Sequence, residues 1–401
     1  METSLSFHGA AGMVTGACFR LSHRGRQILV DCGLFQGPKT VKELNYRDPP
    51  FDPRRLDAVL LTHAHIDHSG LVPWLVQAGF RGPILATPET IDLAGLMLPD
   101  SGRIQEFDVA RLNRRNERRG RETVEPIYTA ADARRCLRRF RPVPYGAWTD
   151  VVPGVAARFW NAGHVLGSAS IEMELTPEAG GEPMRIVFSG DLGPGGKAFH
   201  PDADGPAGCD YVVLESTYGD RDRAPVGTEE RIETLRREVA EALARGGNLL
   251  IPVFAFERTQ ELLHDLDLLF DRKSLPAAEV FLDSPLATEI TKVFDRHLPD
   301  VNVAGTPHPF RRDNLHLVSG EQESRRLSRL RGVVILAASG MCNAGRVRDH
   351  LVDMLWRPDN TVLLVGYQAP GTLGRLLEEG ARHVRIRREE IAVRARIRKI
   401  E

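Results

Sequence analysis

The stretch Thr62-His-Ala-His-Ile-Asp-His-Ser-Gly constrains this 401-residue chain more than any other. It directly follows the apolar run Asp57-Ala-Val-Leu-Leu, which reads as a buried strand. Side chains alternate along an extended strand end, so His63 and His65 point the same way. Asp67 and His68 fall where the chain turns into Ser69-Gly-Leu-Val-Pro-Trp-Leu-Val. The pattern offers two imidazoles to one metal ion, and a carboxylate with a third imidazole to another beside it. Imidazole with carboxylate suits zinc, in sites that keep a position open for water. A lone His-x-His pair is usually a solvated loop; the full His-x-His-x-Asp-His string after a buried strand points to metal.

This string resembles the signature of the metallo-β-lactamase fold hydrolases, and the resemblance extends residue by residue. Asp31, in Ile28-Leu-Val-Asp-Cys-Gly, matches the family's early aspartate, which supports the ligand loop without binding metal. His164, in Asn161-Ala-Gly-His-Val-Leu-Gly-Ser-Ala, matches the next histidine ligand. Asp191, in Val187-Phe-Ser-Gly-Asp-Leu-Gly, matches the aspartate that bridges two metals. Each follows an apolar run and comes with glycines, as loops crowding a metal centre require.

Val213-Leu-Glu-Ser-Thr-Tyr-Gly-Asp resembles the acidic motif that opens the β-CASP insert. That insert marks the nucleic-acid-processing branch, which includes RNase J and the endonuclease subunit of the cleavage and polyadenylation machinery. Ile251-Pro-Val-Phe-Ala-Phe-Glu-Arg-Thr-Gln, Phe281-Leu-Asp-Ser-Pro-Leu-Ala, Ile335-Leu-Ala-Ala-Ser-Gly-Met-Cys-Asn-Ala-Gly-Arg and Gly366-Tyr-Gln-Ala-Pro-Gly-Thr-Leu-Gly-Arg fit it as well. The expected fold is α/β: an αββα sandwich over 1–212, continued by 376–401, with a β-CASP domain on a mainly parallel sheet inserted at 213–375. Strand runs in the second half are continuously apolar, which favours a parallel sheet covered on both faces. Ligands of such sheets gather beyond the strands' carboxyl ends. Arg258, Thr259, Ser284, Ser339, Gly340, Arg346 and Thr372 fall there and are candidate substrate contacts, though each is individually a more ordinary helix cap or turn residue.

Composition narrows the class. Hydrophobic content of 42% and charged content of 27% are those of an ordinary globular protein. No apolar stretch approaches membrane-span length, and the first residues lack the pattern of a signal peptide. The five cysteines (18, 32, 136, 209 and 342) show no Cys-x-x-Cys pairing, so neither a thiolate zinc site nor a disulfide framework is indicated, and a reducing cytoplasm fits. A net charge of −1 excludes a protein coated in positive charge. Basic residues are instead bunched, at Arg111 to Arg121, at Arg134 to Arg141 and at Arg382 to Lys399, where solvated faces are the ordinary reading.

The resemblance implies that His63, His65 and His164 hold a first zinc, that Asp191 bridges, and that Asp67 and His68 complete most of a second site. Two zinc ions about 3.5–4 Å apart suit phosphodiester hydrolysis by metal-bound hydroxide. Asp67 would also orient the attacking hydroxide, and Glu215 would support a catalytic histidine from behind. The implied substrate is single-stranded RNA, with endonucleolytic cutting, 5′ exonucleolytic cutting or both, and with homodimerisation common in the family. Two later family histidines have no match up to Glu401. His383, in Gly380-Ala-Arg-His-Val-Arg, fits neither motif and reads as a surface residue. The chain is thus expected to be part of a longer protein or a short form with one firm zinc site. Alternatives are a non-catalytic or weakly active RNA-binding relative, and a DNA-processing or small-thioester hydrolase of the same fold.

Overall fold

A computed structural model describes residues 3–178, 180–220, 222, 227–297 and 310–400. It resolves into two compact units, Met1–Asp222 and Arg223–Glu401.

The first unit is built on two sheets. One has the order β1 (Ser4–Gly9), β2 (Cys18–His23), β3 (Arg26–Val30), β4 (Ala58–Leu60), β5 (Ile84–Ala86) and β6 (Phe140–Pro142). Its first two pairings are antiparallel and the rest parallel. The other comprises β7 (Trp148–Val152), β8 (Val155–Asn161), β9 (Ala169–Leu175), β10 (Met184–Phe188) and β11 (Tyr211–Val213), antiparallel except for β10 with β11. The period-two alternation of these strands puts Ile28, Val30 and Leu60 against Phe159, Ile171, Met173 and Phe188, a dry layer between the sheets. Helices α3 (Val72–Gln77), α4 (Pro88–Glu117) and α5 (Ala130–Cys136) cover the other face of the first sheet, burying Leu75, Val76, Ala94, Leu98 and Ala133 against Leu29, Val59 and Ile84. Two further helices in this unit, α1 (Lys39–Lys42) and α2 (Ile66–Ser69), are single turns. On the outer face of the second sheet, the fully buried Glu172 accepts from Arg158 Nε and Nη2 and from Trp160 Nε1, and the Arg158 guanidinium lies over the Trp148 and Trp160 rings.

The second unit carries a six-stranded parallel sheet in the order β14 (Leu315–Leu317), β13 (Val280–Leu282), β15 (Val334–Ala337), β12 (Leu249–Pro252), β16 (Thr361–Leu364) and β19 (Arg396–Lys399). Helices α6 (Thr228–Ala244), α7 (Arg258–Asp271), α8 (Pro285–His297), α9 (Glu321–Leu327), α10 (Val347–Met354) and α11 (Leu373–Glu378) alternate with it, and β17 (His383–Ile386) pairs with β18 (Glu389–Ala392). The central strands are buried at every position, which is why their sequences are unbroken apolar runs.

Two domain boundaries depart from the sequence expectation. Residues 376–401 do not return to the first unit. β19 pairs in parallel with β16, and Val384, Ile386 and Ala395 pack in the core of the second unit with Leu351 and Leu377. The main-chain groups of an edge strand are satisfied by whichever sheet offers a free edge, and β16 offers one to β19. The first unit also extends past residue 212, because β11 is the parallel partner of β10.

Within the second unit, a buried carboxylate ties elements that are distant in sequence. Asp283, at the end of β13, accepts from Arg346 Nη1 at 2.6 Å, His350 Nε2 at 2.6 Å and Ser324 Oγ at 2.5 Å. Burial pushes its pKa up, but the bonds from His350, Ser324 and Arg346 outweigh this and hold the carboxyl below its ordinary value. A depressed carboxylate stabilises the fold above its unfolded pKa and loses that contribution as pH falls. Asp283→Asn is therefore expected to cost about 3–5 kcal/mol at pH 7, by removing the charge that the half-buried Arg346 and the buried His350 are bonded to. Urea unfolding should record the loss, and the gap to the unsubstituted chain should narrow below about pH 4.

Candidate metal centre

The centre begins at the end of β4. Asp31 follows β3 with a φ of 59°, a left-handed conformation that aspartate tolerates better than most residues. The turn carries its carboxylate across to the neighbouring strand end. There Asp31 Oδ1 accepts from the Thr62 amide at 2.8 Å, and Oδ2 accepts from the Thr62 hydroxyl at 2.8 Å. His68 Nδ1 lies 2.8 Å from the same Oδ2. With its own proton donated to Asp31, the Thr62 hydroxyl is left as acceptor for His63 Nδ1, 3.0 Å away. Both imidazoles are thereby fixed with Nε2 facing outward. Thr62 escaped the sequence reading; its one signal was its place directly before His63 at the strand end.

The remaining groups arrive from loops of the second sheet. His164 lies between β8 and β9, where the Ser168 hydroxyl accepts from the amides of His164 and Val165, both at 3.1 Å. Asp191 lies between β10 and β11, after Gly190, whose φ is 56°. A Cβ on Gly190 would come within 2.9 Å of the Thr62 side chain, so only glycine lets this loop close on the strand end.

His63, His65, His164 and Asp191 converge on one point, with one donor atom from each lying within 4.8 Å of all the others. His65 Nδ1 is 3.1 Å from His63 Nε2 and 3.3 Å from His164 Nε2. Asp191 Oδ2 stands 3.9 Å from His63 Nε2 and 3.6 Å from His164 Nε2. Donors about 2.0–2.1 Å from a tetrahedral ion are separated from one another by about 3.3–3.4 Å. The three imidazoles meet that spacing and the carboxylate comes close to it, so the donor set fits a divalent ion. The other Asp191 oxygen, Oδ1, faces His68 Nε2 at 3.2 Å. Asp191 thus lies between the three-histidine cluster and His68.

Electrostatics prepare the donors. Burial drives the pKa of His63 well below its ordinary value, with the neighbouring imidazoles His68, His65 and His164 adding to the effect. A neutral imidazole is the form a metal ion needs. For Asp191, burial works upward but is overcome by the hydrogen bond and charge of His68, and the carboxyl is held down to about 2. Burial would also lower His68, yet the Asp31 and Asp191 carboxylates raise it well above its ordinary value.

Asp67 sits in the first turn of α2 with its main-chain oxygen accepting from the Ala17 amide at 2.9 Å. Among the described residues its carboxylate has no hydrogen-bond partner, and it stands outside the convergent set of four. Gly33 is what lets this turn pack, since a Cβ there would lie 1.6 Å from the Asp67 oxygen. Glu215 clamps the Asp191 loop: its Oε1 accepts from the Leu192 amide at 3.2 Å and its Oε2 from the Thr217 amide at 3.1 Å.

The seven candidate substrate contacts lie in the second unit, beyond the carboxyl ends of β12, β13, β15 and β16 as expected. Their side chains are engaged locally. Thr259 is fully buried and donates to the Phe254 carbonyl, and Arg258 pairs with Glu261. Ser284 and Thr372 accept from amides in the first turns of α8 and α11. Ser339 bridges to Ala344, and Gly340 admits the Phe254 ring. Arg346 is committed to Asp283 and to the Val318 and Ser319 carbonyls. His383 is exposed on β17.

Residues 11–237 match the metallo-beta-lactamase superfamily, and residues 259–377 match the Beta-Casp domain. The chain is 36% identical over 396 residues to ribonuclease TTHA0252 of Thermus thermophilus, covering 97% of this chain and 85% of that protein. It is 32% identical over 395 residues to the transcription termination factor FttA of Methanocaldococcus jannaschii, covering 95% of this chain but 58% of the factor's length. An RNase J-like protein of the same archaeon is 28% identical over 411 residues, covering 99% of this chain and 85% of that protein. A structure of a protein of unknown function from Enterococcus faecalis V583 shares the fold, with a TM-score of 0.54 at 12% identity over 99% of this chain and 87% of that one. The chain belongs to the metallo-beta-lactamase superfamily, in the branch that carries a Beta-Casp domain.

Proposed function

We propose that this protein is a metal-dependent nuclease that hydrolyses phosphodiester bonds in single-stranded RNA. The observation that carries the reading is the convergence of His63, His65, His164 and Asp191 in a chain that also has a Beta-Casp domain. The names of the relatives, a ribonuclease and an RNase J-like protein, favour RNA as the substrate. An imidazole-rich set with one carboxylate favours zinc over harder cations. A bound divalent ion would supply Lewis acidity toward a phosphoryl oxygen and would lower the pKa of water.

The chain's own residues divide the remaining work. Burial keeps His63 neutral, and the Thr62 hydroxyl fixes its Nδ1 so that Nε2 faces the centre. Asp31 orients His68 by accepting from its Nδ1, which leaves Nε2 toward Asp191. Asp191, placed between the two imidazole groups, would serve a second ion beside the first, with His68 and Asp67 as further donors. The unengaged Asp67 carboxylate is available to orient an attacking water and accept its proton. Glu215 holds the backbone beside Asp191 and thus keeps that carboxylate in place.

Incubation of the chain with end-labelled single-stranded RNA tests the reading directly. Cutting should disappear on chelation, return with zinc, and fall at least a hundredfold in Asp67→Ala and Asp191→Asn. Undiminished cutting by Asp67→Ala would remove it from the chemistry, and cutting that survives chelation would sink the whole reading. Thr62→Val should keep the fold but weaken zinc binding about 10–100-fold in a chromophoric chelator competition, because the orientation of His63 is lost.

A further inference from the structure

The first basic run is set beside exposed apolar side chains on a long helix. Arg111, Arg114 and Arg115 lie in the distal half of α4, a 30-residue helix, and Arg118 caps its end. Ile104, Phe107, Arg111, Arg114 and Arg118 recur at spacings of three and four, so they share one helix face. Val109 is buried on the opposite side, next to Asn113 and Asn116, whose side chains bond the returning strand of chain at Val124 and Glu122. These straps leave the outer face pointing to solvent. Phe107 is 64% exposed and Ile104 54% exposed.

Many arginines elsewhere are engaged by carboxylates or carbonyls. In the second basic run, Arg135 pairs with Asp132, and Arg139 and Arg141 donate to main-chain carbonyls. Among the described residues, Arg111, Arg114, Arg115 and Arg118 form no ion pair, while Arg103 nearby is paired with Asp100. Like charges one turn apart weaken a helix. The helix dipole favours cations in the last turn, which accounts for part of the cluster. It accounts neither for Arg111 nor for an exposed aromatic ring among the guanidinium groups.

We infer that this face of α4 is a docking surface for single-stranded RNA, with the arginines on the phosphates and Phe107 stacking on a base. The inference rests on RNA being the substrate of the centre described above. From Ile104 to Arg118 the stripe runs about 21 Å along the helix, at 1.5 Å per residue, enough for several extended nucleotides. Unpaired guanidinium groups in line with an exposed aromatic ring are a combination that grips a single strand without reading its sequence. The stripe therefore holds RNA by charge and stacking, away from the metal ligands in the sequence.

The test is fluorescence anisotropy of a labelled oligouridylate on the full chain, with chelator present so that nothing is cut. Arg111→Gln/Arg114→Gln/Arg118→Gln is compared with Arg26→Gln/Arg325→Gln/Arg329→Gln, which removes equal charge elsewhere. Each single-strand phosphate contact contributes about 0.7 to the slope of log K against log salt. The helix triple should lower that slope by about 2 and weaken binding at least tenfold, while the control triple stays near the unsubstituted chain. Phe107→Ala should weaken binding about fivefold with the slope unchanged. Equal binding by the two triples would overturn the inference. So would polyglutamate or anionic lipid vesicles that displace RNA charge for charge, regardless of Phe107. Cutting that persists while the helix triple binds normally would reject the docking face alone. RNA bound through Arg111, Arg114 and Arg118 by a chain that fails to cut would reject the nuclease reading alone.

Discussion

One buried carboxylate organises the first unit. Asp31 receives the Thr62 amide, the Thr62 hydroxyl and His68 Nδ1, and through Thr62 it governs His63. Charge-assisted hydrogen bonds of this kind are strong in a dry interior, and an unpaired carboxylate there would be costly. The β3–β4 parallel pairing brings the two strand ends side by side, so the network exists only once that sheet has formed. The placing of the candidate metal donors is downstream of strand registry.

The second unit uses the same device for another purpose. Asp283 at the end of β13 collects Arg346, His350 and Ser324 and pins α9 and α10 to the sheet. Both carboxylates close a strand end where main-chain polar groups lose their ladder partners. In the first unit the closure aims imidazoles at the point where the four donors converge. In the second it ties α9 and α10 to the sheet, and the side chains that sequence position marks as substrate contacts make bonds within the unit.

What could be read from the chain follows the range of the interactions concerned. His63, His65, Asp67 and His68 lie within one strand end and its turn, so local periodicity reveals them. The buried strands announce themselves by unbroken apolar runs. Arg346 could not be assigned that way, because its partner Asp283 is 63 residues away in sequence. Near the C-terminus, Ile391-Ala-Val-Arg-Ala-Arg-Ile alternates like a half-buried strand, but the alternation does not say which sheet takes it: Arg396 to Lys399 pair with β16. The unpaired character of Arg111, Arg114 and Arg118 was equally invisible, since charge runs look alike whether or not carboxylates fold onto them.

The dry layer between the two sheets bears on the donor geometry in a way its composition does not suggest. His63 and His65 follow a strand of one sheet, His164 and Asp191 lie in loops of the other, and the apolar layer between the sheets, with the bond from the Ala169 amide to the Thr62 carbonyl, sets the offset between them. A packed interior transmits a change of one methylene as a shift of its neighbours. Ile171, Met173 and Phe188 are in that sense gauge blocks, and the spacing available to an ion is machined as much by their shapes as by the imidazoles that would touch it.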